Sequence, residues 1–266
     1  QNAETAYQQG DYETSLNDLK QVIDHYEKTG TQQECPVFGK AAECAMHLGQ
    51  TDVAEDFLKK DTYTNFATED TYISLAKIYR KQGNLSKEMM ALQSCKEKFP
   101  AGEKTDTVNI SLFEIYVESQ NWELAEKIWP ELPEISRSDE KMTEQYFKVN
   151  KALKNDFMCD QLATELMKMD AANTTALEWK AVKYFWQAEN LYQTSLKEYN
   201  NNKTNKQYKI LLKALDVVTA DFKKSLDYFT RLYKLDPQPE YAQYLGNIYT
   251  RLDDKKKAEY YYKLSK

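Results

Sequence analysis

Redox and metal chemistry need cysteines or histidines at ligand spacing. This chain has four cysteines, Cys35, Cys44, Cys95 and Cys159, and two histidines, His25 and His47. No two cysteines form a CxxC pair and the histidines are isolated. The cysteines therefore read as small, separately buried core residues, and no metal site is assigned. The even cysteine number permits disulfides without demanding them. Carboxylates are plentiful, with 42 Asp and Glu, but acidic residues on a helical chain sit on solvated faces by default. No two of them stand out as a pair flanking a cleft, as glycoside hydrolysis requires. The chain has no GxSxG, HExxH, GxxxxGK[ST] or GxGxxG, so neither a catalytic residue nor a cofactor site is nominated. The side chains best placed for recognition are aromatic. Trp179, Phe185 and Trp186 lie close together and suit either an anchor for a peptide or sugar ring or a piece of core. Core is the preferred reading.

The elements that position these residues follow from composition and period. Gly (7) and Pro (6) are scarce among 266 residues, which leaves too few turns for an all-β fold. Lys, Glu, Gln, Leu and Ala favour long helices. The 20 tyrosines suit half-buried helix faces, where the ring packs and the hydroxyl stays wet. Tyr72, Leu75, Ala76 and Tyr79 form one stripe, Gln82-Gly83-Asn84 makes a turn, Met89, Leu92 and Cys95 form a second stripe, and Pro100 ends the unit. The pattern recurs around Gly10-Asp11-Tyr12, Leu48-Gly49-Gln50, Gln120-Asn121-Trp122 and Asp253-Asp254. Its spacing suits units of about 34 residues.

Leu245-Gly246-Asn247-Ile248-Tyr249 followed by Ala258 and Tyr262, the Gly10-Asp11-Tyr12 turn and the Asp236-Pro237 terminator together resemble the tetratricopeptide repeat (TPR) family over nearly the whole chain. The resemblance implies an all-α fold: a right-handed α-solenoid of antiparallel helix pairs, each burying its apolar face against its neighbours. The stretch from Asp139 to Asp170 departs most from the pattern, because its turn at Lys154-Asn155-Asp156 lacks glycine. In this family the first helices of the units line a concave groove. The corresponding faces here carry Lys77, Arg80 and Lys81, then Glu114 and Glu118. The three cations suit an acidic group. The neighbouring acids replace the Asn and basic partners of the family's carboxylate clamp, so that clamp is not expected. Phe185 and Trp186 complete the candidate groove.

One unit is far too long. From Thr174 to Pro237 it exceeds a repeat by about thirty residues, and Asn200-Asn201-Asn202-Lys203-Thr204 is its one turn-like run. Leu177, Ala181, Tyr184, Ala188 and Leu191, then Tyr208, Leu211, Leu215, Val218 and Phe222, form two seams. They predict an elongated coiled-coil-like helical hairpin, capped by Thr174 or Thr175 and by Thr204 or Asn205. It reads equally as a protruding arm for a partner or for self-association, or as an extension that stiffens the stack. The expected organisation is one solenoid domain over 1–266: short repeats over 1–173, the hairpin over 174–237, and a last repeat over 238–266.

A net charge of −6 and a pI of about 5.3 argue against non-specific nucleic-acid binding. No apolar run reaches the ~20 residues of a membrane span. The sequence opens on Gln1 rather than Met, which points to an exported, periplasmic or cell-surface protein, with a cytoplasmic one as the alternative. The expected function is a non-enzymatic scaffold or adaptor that binds a protein or peptide through the groove, the hairpin or both, without a cofactor. The alternatives are an extracytoplasmic peptide- or glycan-binding component and a homo-oligomer joined through the hairpin.

Overall fold

The structure, a computed structural model, describes residues 2–31 and 35–266. It falls into two compact units, one ending at Arg137 and the other spanning Ser138–Lys266. Each is a set of antiparallel helix pairs, and no strand occurs among the described residues. The first unit pairs α1 (Asn2–Gln8) with α2 (Tyr12–Thr29), α3 (Val37–His47) with α4 (Thr51–Asp61), α5 (Glu69–Lys81) with α6 (Leu85–Lys98), and α7 (Thr105–Glu118) with α8 (Trp122–Ile128). A 3-10 turn over Trp129–Glu131 and the short α9 (Glu134–Arg137) close it. The second unit pairs α10 (Glu140–Ala152) with α11 (Asp156–Met169), α12 (Thr174–Asn201) with α13 (Asn205–Leu235), and α14 (Pro239–Arg251) with α15 (Lys255–Leu264). Within each unit, successive pairs pack in chain order.

One backbone device makes six of these pairs. Gly10, Gly49, Gly83, Gln120, Lys154 and Asp253 all adopt left-handed φ values between 57° and 78°. At each, the residue's N–H reaches the carbonyl three positions back. The next residue's N–H reaches five positions back, as Asp11 does to Ala6 (2.9 Å) and Asn155 to Asn150 (2.9 Å). These are the two bonds that satisfy the last carbonyls of a helix when a left-handed residue follows it. The residue that donates the longer bond is already the N-cap of the next helix. Asp11, Asn84, Asn155 and Asp254 accept from the N–H groups of Thr14, Lys87, Met158 and Lys257. The glycine-free Lys154 turn thus has the same geometry as the glycine turns. Lysine there carries the steric cost of a Cβ in the left-handed region.

Five positions past each turn residue stand Ser15, Ala54, Glu88, Ala125, Cys159 and Ala258, all buried. Small side chains let the second helix settle on the first. Where the side chain is polar, it needs a partner. Ser15 donates to the Ala3 carbonyl at 2.8 Å, and buried Glu88 receives Arg80 Nε at 2.8 Å. Of the cysteines, Cys44, Cys95 and Cys159 are buried, whereas Cys35 is exposed, before α3 rather than in a core, and all four are free thiols. Burial pushes the Cys95 and Cys159 thiols up to about 11.

The long hairpin keeps the repeat's register. Ser225, fully buried on α13, donates to the Ala181 carbonyl of α12 at 2.8 Å, repeating the Ser15–Ala3 contact. The two residues are 44 positions apart instead of 12, so the hairpin holds 32 extra residues, shared between its arms. At its base Leu177, Ala181, Phe185 and Ala188 meet Val218, Phe222, Phe229 and Leu232, joined by Leu245 and Ile248 of α14. Farther out Ser195 and Leu211 are buried between the arms. The seam differs from the expected one. Phe185 takes the core place assigned to Tyr184, which instead stacks on Tyr228 at 6.1 Å. Tyr208 is 48% exposed. The stripe is wider than a strict heptad because the arms bury base residues against α14 as well as against each other. Asn173, not a threonine, caps α12, while Thr204 caps α13.

Two glycines separate backbone strain from crowding. A Cβ at Gly83 would meet nothing within 4 Å, so Gly83→Ala should cost about 1 kcal/mol through the left-handed backbone alone. A Cβ at Gly246 would lie 2.6 Å from the Tyr262 ring. Gly246→Ala should therefore destabilise by about 1–3 kcal/mol, against the usual gain for alanine in a helix interior. The double variant Gly246→Ala/Tyr262→Ala should recover part of that loss. Urea midpoints of the four proteins check both statements. Ser225→Val should destabilise by about 1–3 kcal/mol, because it removes the bond to Ala181 and adds volume at the closest approach of the arms; thermal unfolding followed by circular dichroism measures it.

Candidate functional site

The residues singled out for recognition are divided between the two units. In the first unit, Arg80 on α5 lies between two carboxylates. Its Nε donates to Glu88 at 2.8 Å and its Nη1 pairs with Glu118 on α7. Burial raises the Glu88 pKa more than the Arg80 hydrogen bond and charge lower it. The guanidinium is therefore engaged by two of this chain's own acids while its side chain remains partly exposed. Lys77 and Lys81 are exposed on α5, and Glu114 is half-buried on α7. This place reads as a polar bridge between neighbouring first helices, created by the carboxylate that replaces a small residue at position 88.

Phe185 and Trp186 lie in the second unit, where the geometry is different. Phe185 is buried, with its ring 4.9 Å from Tyr244 and 5.8 Å from Phe222, both edge-on. Trp186 is 48% exposed and meets Phe185 edge to face at 5.3 Å. The preference for core thus applies to Phe185 and not to Trp186. Trp179, grouped with them in the sequence, belongs to another contact. Its indole Nε1 donates to Asp160 of α11 at 2.9 Å, and its ring meets Phe147. Burial acts to raise the Asp160 pKa, but Lys183 and Trp179 outweigh it and hold the carboxyl below its ordinary value.

Trp186 opens onto a groove of about 640 Å³ between α12 and α14, within the size range of ligand sites. Glu189, Glu240, Gln243, Asn247, Thr250, Arg251 and Tyr262 supply its polar lining. Arg251 holds Glu189 with two bonds, Nε at 2.9 Å and Nη2 at 2.6 Å, and lies 4.5 Å over the Tyr192 ring. Burial acts to raise the Glu189 pKa, but the Arg251 bond and charge win and lower it. This fork ties the hairpin to α14 and fixes the wall carrying Trp186. Asn247 Oδ1 accepts from Tyr262 Oη at 3.0 Å and from Gln243 Nε2 at 3.3 Å. With its oxygen doubly engaged, the Asn247 amide is held with its N–H groups available as donors. Only the aromatic part of this site was legible in the sequence. Gln243, Asn247 and Arg251 were missed, although Asn247 lies inside the Leu245–Tyr249 motif itself. Among the described residues no group of three or more His, Cys, Asp or Glu is placed to hold a metal ion.

No protein-family model matches the chain, and no curated protein matches it. Solved structures do. A candidate protein-binding protein from Bacteroides ovatus superposes with a TM-score of 0.53 at 14% identity, covering 71% of this chain and 100% of its own. The C-terminal part of a TPR repeat-containing protein from Cytophaga hutchinsonii gives 0.48 at 16% identity, covering 99% and 92%. A tetratricopeptide repeat protein from Parabacteroides merdae gives 0.43 at 14%, covering 86% and 90%. At these identities the likeness concerns the fold alone. No helix of the described residues is long and apolar enough to cross a membrane. The repeated pair of helices, joined by a left-handed residue and closed over a small one, is the unit the sequence pattern describes. The fold is TPR-like.

Proposed function

We propose that this chain is a non-enzymatic interaction scaffold whose second unit captures an extended peptide segment of a protein partner in the groove between α12 and α14. The observation that carries the reading is Trp186. A large aromatic ring, half exposed and braced by buried Phe185, stands beside an Asn247 amide oriented by Tyr262 and Gln243. Such a ring offers an apolar side chain a rigid contact at low entropic cost. The amide donates to a main-chain carbonyl, so the site recognises backbone together with one anchor. The bidentate Arg251–Glu189 pair holds the walls before the ligand arrives, which limits the ordering cost of binding. The Bacteroides ovatus structure, whose description concerns protein binding, is consistent with this reading at the level of fold.

A random-peptide display library panned against the protein tests it. Wild type should enrich peptides sharing an aromatic or aliphatic anchor. Trp186→Ala should weaken the enriched peptides about thirtyfold, as loss of a ~2 kcal/mol anchor does, with the far-ultraviolet circular dichroism unchanged. Asn247→Ala should weaken them less. Equal enrichment by wild type and Trp186→Ala refutes the site. Capture of oligosaccharides from a glycan array in place of peptides refutes the peptide reading and moves the groove to sugar recognition.

A further inference from the structure

The hairpin's distal part reverses the charge of the chain. Between residues 197 and 213 there are five lysines, Lys197, Lys203, Lys206, Lys209 and Lys213, and one acid, Glu198, in a chain of net charge −6. None of the four lysines from 203 to 213 forms an ion pair among the described residues, whereas Arg80, Lys96, Lys183 and Arg251 all do. Lys206, Lys209 and Lys213 are spaced by three and four and line the outer face of α13, opposite buried Leu211 and Val218. Exposed apolar residues flank this row on both sides: Ile210 (45%) and Val217 (50%) on one, Tyr208 (48%) and Leu212 (45%) on the other. A helix that lies on a lipid surface has the opposite order, with apolar residues central and lysines at the margins. A central cationic row with apolar margins fits a protein surface of complementary pattern.

Another stretch of the same chain is acidic, although exposed Lys127 lies within it and exposed Arg137 two residues beyond it. Over residues 123–135 the charges are Glu123, Glu126, Glu131 and Glu134 against Lys127. Glu131 is engaged by Lys96. Glu123, Glu126 and Glu134 are exposed and form no ion pair among the described residues, and exposed Leu124 (40%) and Ile135 (84%) accompany them. We infer that the basic outer face of the α13 tip docks on the acidic 123–135 surface of a second copy of this chain. The two surfaces differ, so the contact is heterologous and propagates from copy to copy. Net repulsion between two acidic chains does not prevent it. At physiological salt charges are screened beyond about 8 Å, so the facing residues decide the sign. The inference is independent of the α12–α14 groove.

Sedimentation velocity of the whole chain tests it, across protein concentrations and at low and high salt. Wild type should associate with concentration, and high salt should suppress the association. The triple variant Lys206→Glu/Lys209→Glu/Lys213→Glu should lose it by more than about tenfold, as should Glu123→Lys/Glu126→Lys/Glu134→Lys. All these residues are exposed, so circular dichroism should be unchanged. Mixing the two variants pairs reversed tip with reversed acidic surface and should restore a heteromeric species. A wild type that stays monomeric at physiological as well as at low salt overturns the inference. So does association that survives both reversals, or a mixture that fails to recover. Lysine-dependent binding of the monomer to phosphatidylserine vesicles, without self-association, also overturns it and assigns the tip to a lipid surface.

Discussion

Each ordinary helix pair of this protein depends on one residue held at positive φ. At that residue the first helix satisfies its last carbonyls, and the following residue, still bonded backwards, becomes the cap of the next helix. The chain reverses with no free loop between the two helices, so little connecting chain has to be ordered. Because the turn residue sets where the second helix starts, it also sets which residue of that helix faces the first. That residue is the small, buried one five positions later. Turn and closest approach are one constraint seen at two points, which is why a non-glycine residue is held at this φ in three of the six turns.

The polar side chains at or near the closest-approach positions show how buried polarity is satisfied in this fold. At position 88 a glutamate occupies the place of an alanine. A buried carboxylate needs a counter-charge and hydrogen bonds; partly exposed Arg80 supplies them and also meets Glu118 from the next first helix. The result is a local ionic bridge, formed from residues that looked, as a run of cations, like an anion-binding face. At Ser15 and Ser225 the polar group is satisfied across the helix pair by a backbone carbonyl. The second of these pins the long hairpin in repeat register despite its extra length.

Lengthening one pair has consequences at both ends of the insertion. At the base, α12 supplies Phe185 to the core and Trp186 to the groove beside α14, and the Glu189–Arg251 fork fastens the two helices. Toward the tip the two arms pack against each other. Burial there narrows to residues such as Ser195 and Leu211, and the outer face of α13 carries lysines and exposed apolar side chains. An acidic body with a basic arm follows from the order of charges along the chain. Near the base Lys183 and Lys224 are paired with acids, whereas Lys203, Lys206, Lys209 and Lys213 at the tip form no ion pair among the described residues.

The sequence by itself determined the class of structure, because period, turn chemistry and the small-residue positions are local and recur. The helix pairs, the Gly-Asp and Gln-Asn turns, and the long hairpin with its Asn-rich tip were all legible. So was Thr204 as a cap, since capping depends on neighbours three residues away. Tertiary structure decided which side of each helix found a partner. Tyr184 and Phe185 are adjacent and both aromatic, and only the presence of α14 at the hairpin base placed Phe185 inside and left Trp186 half in water. Arg80 and Glu118 are 38 positions apart, so their pairing was invisible to any local pattern. Asn247 was readable as a motif residue, but its orientation rests on Tyr262 and Gln243. Local interactions write the elements into the sequence. Burial and charge pairing between residues distant in the chain choose the site, and those depend on how the elements pack.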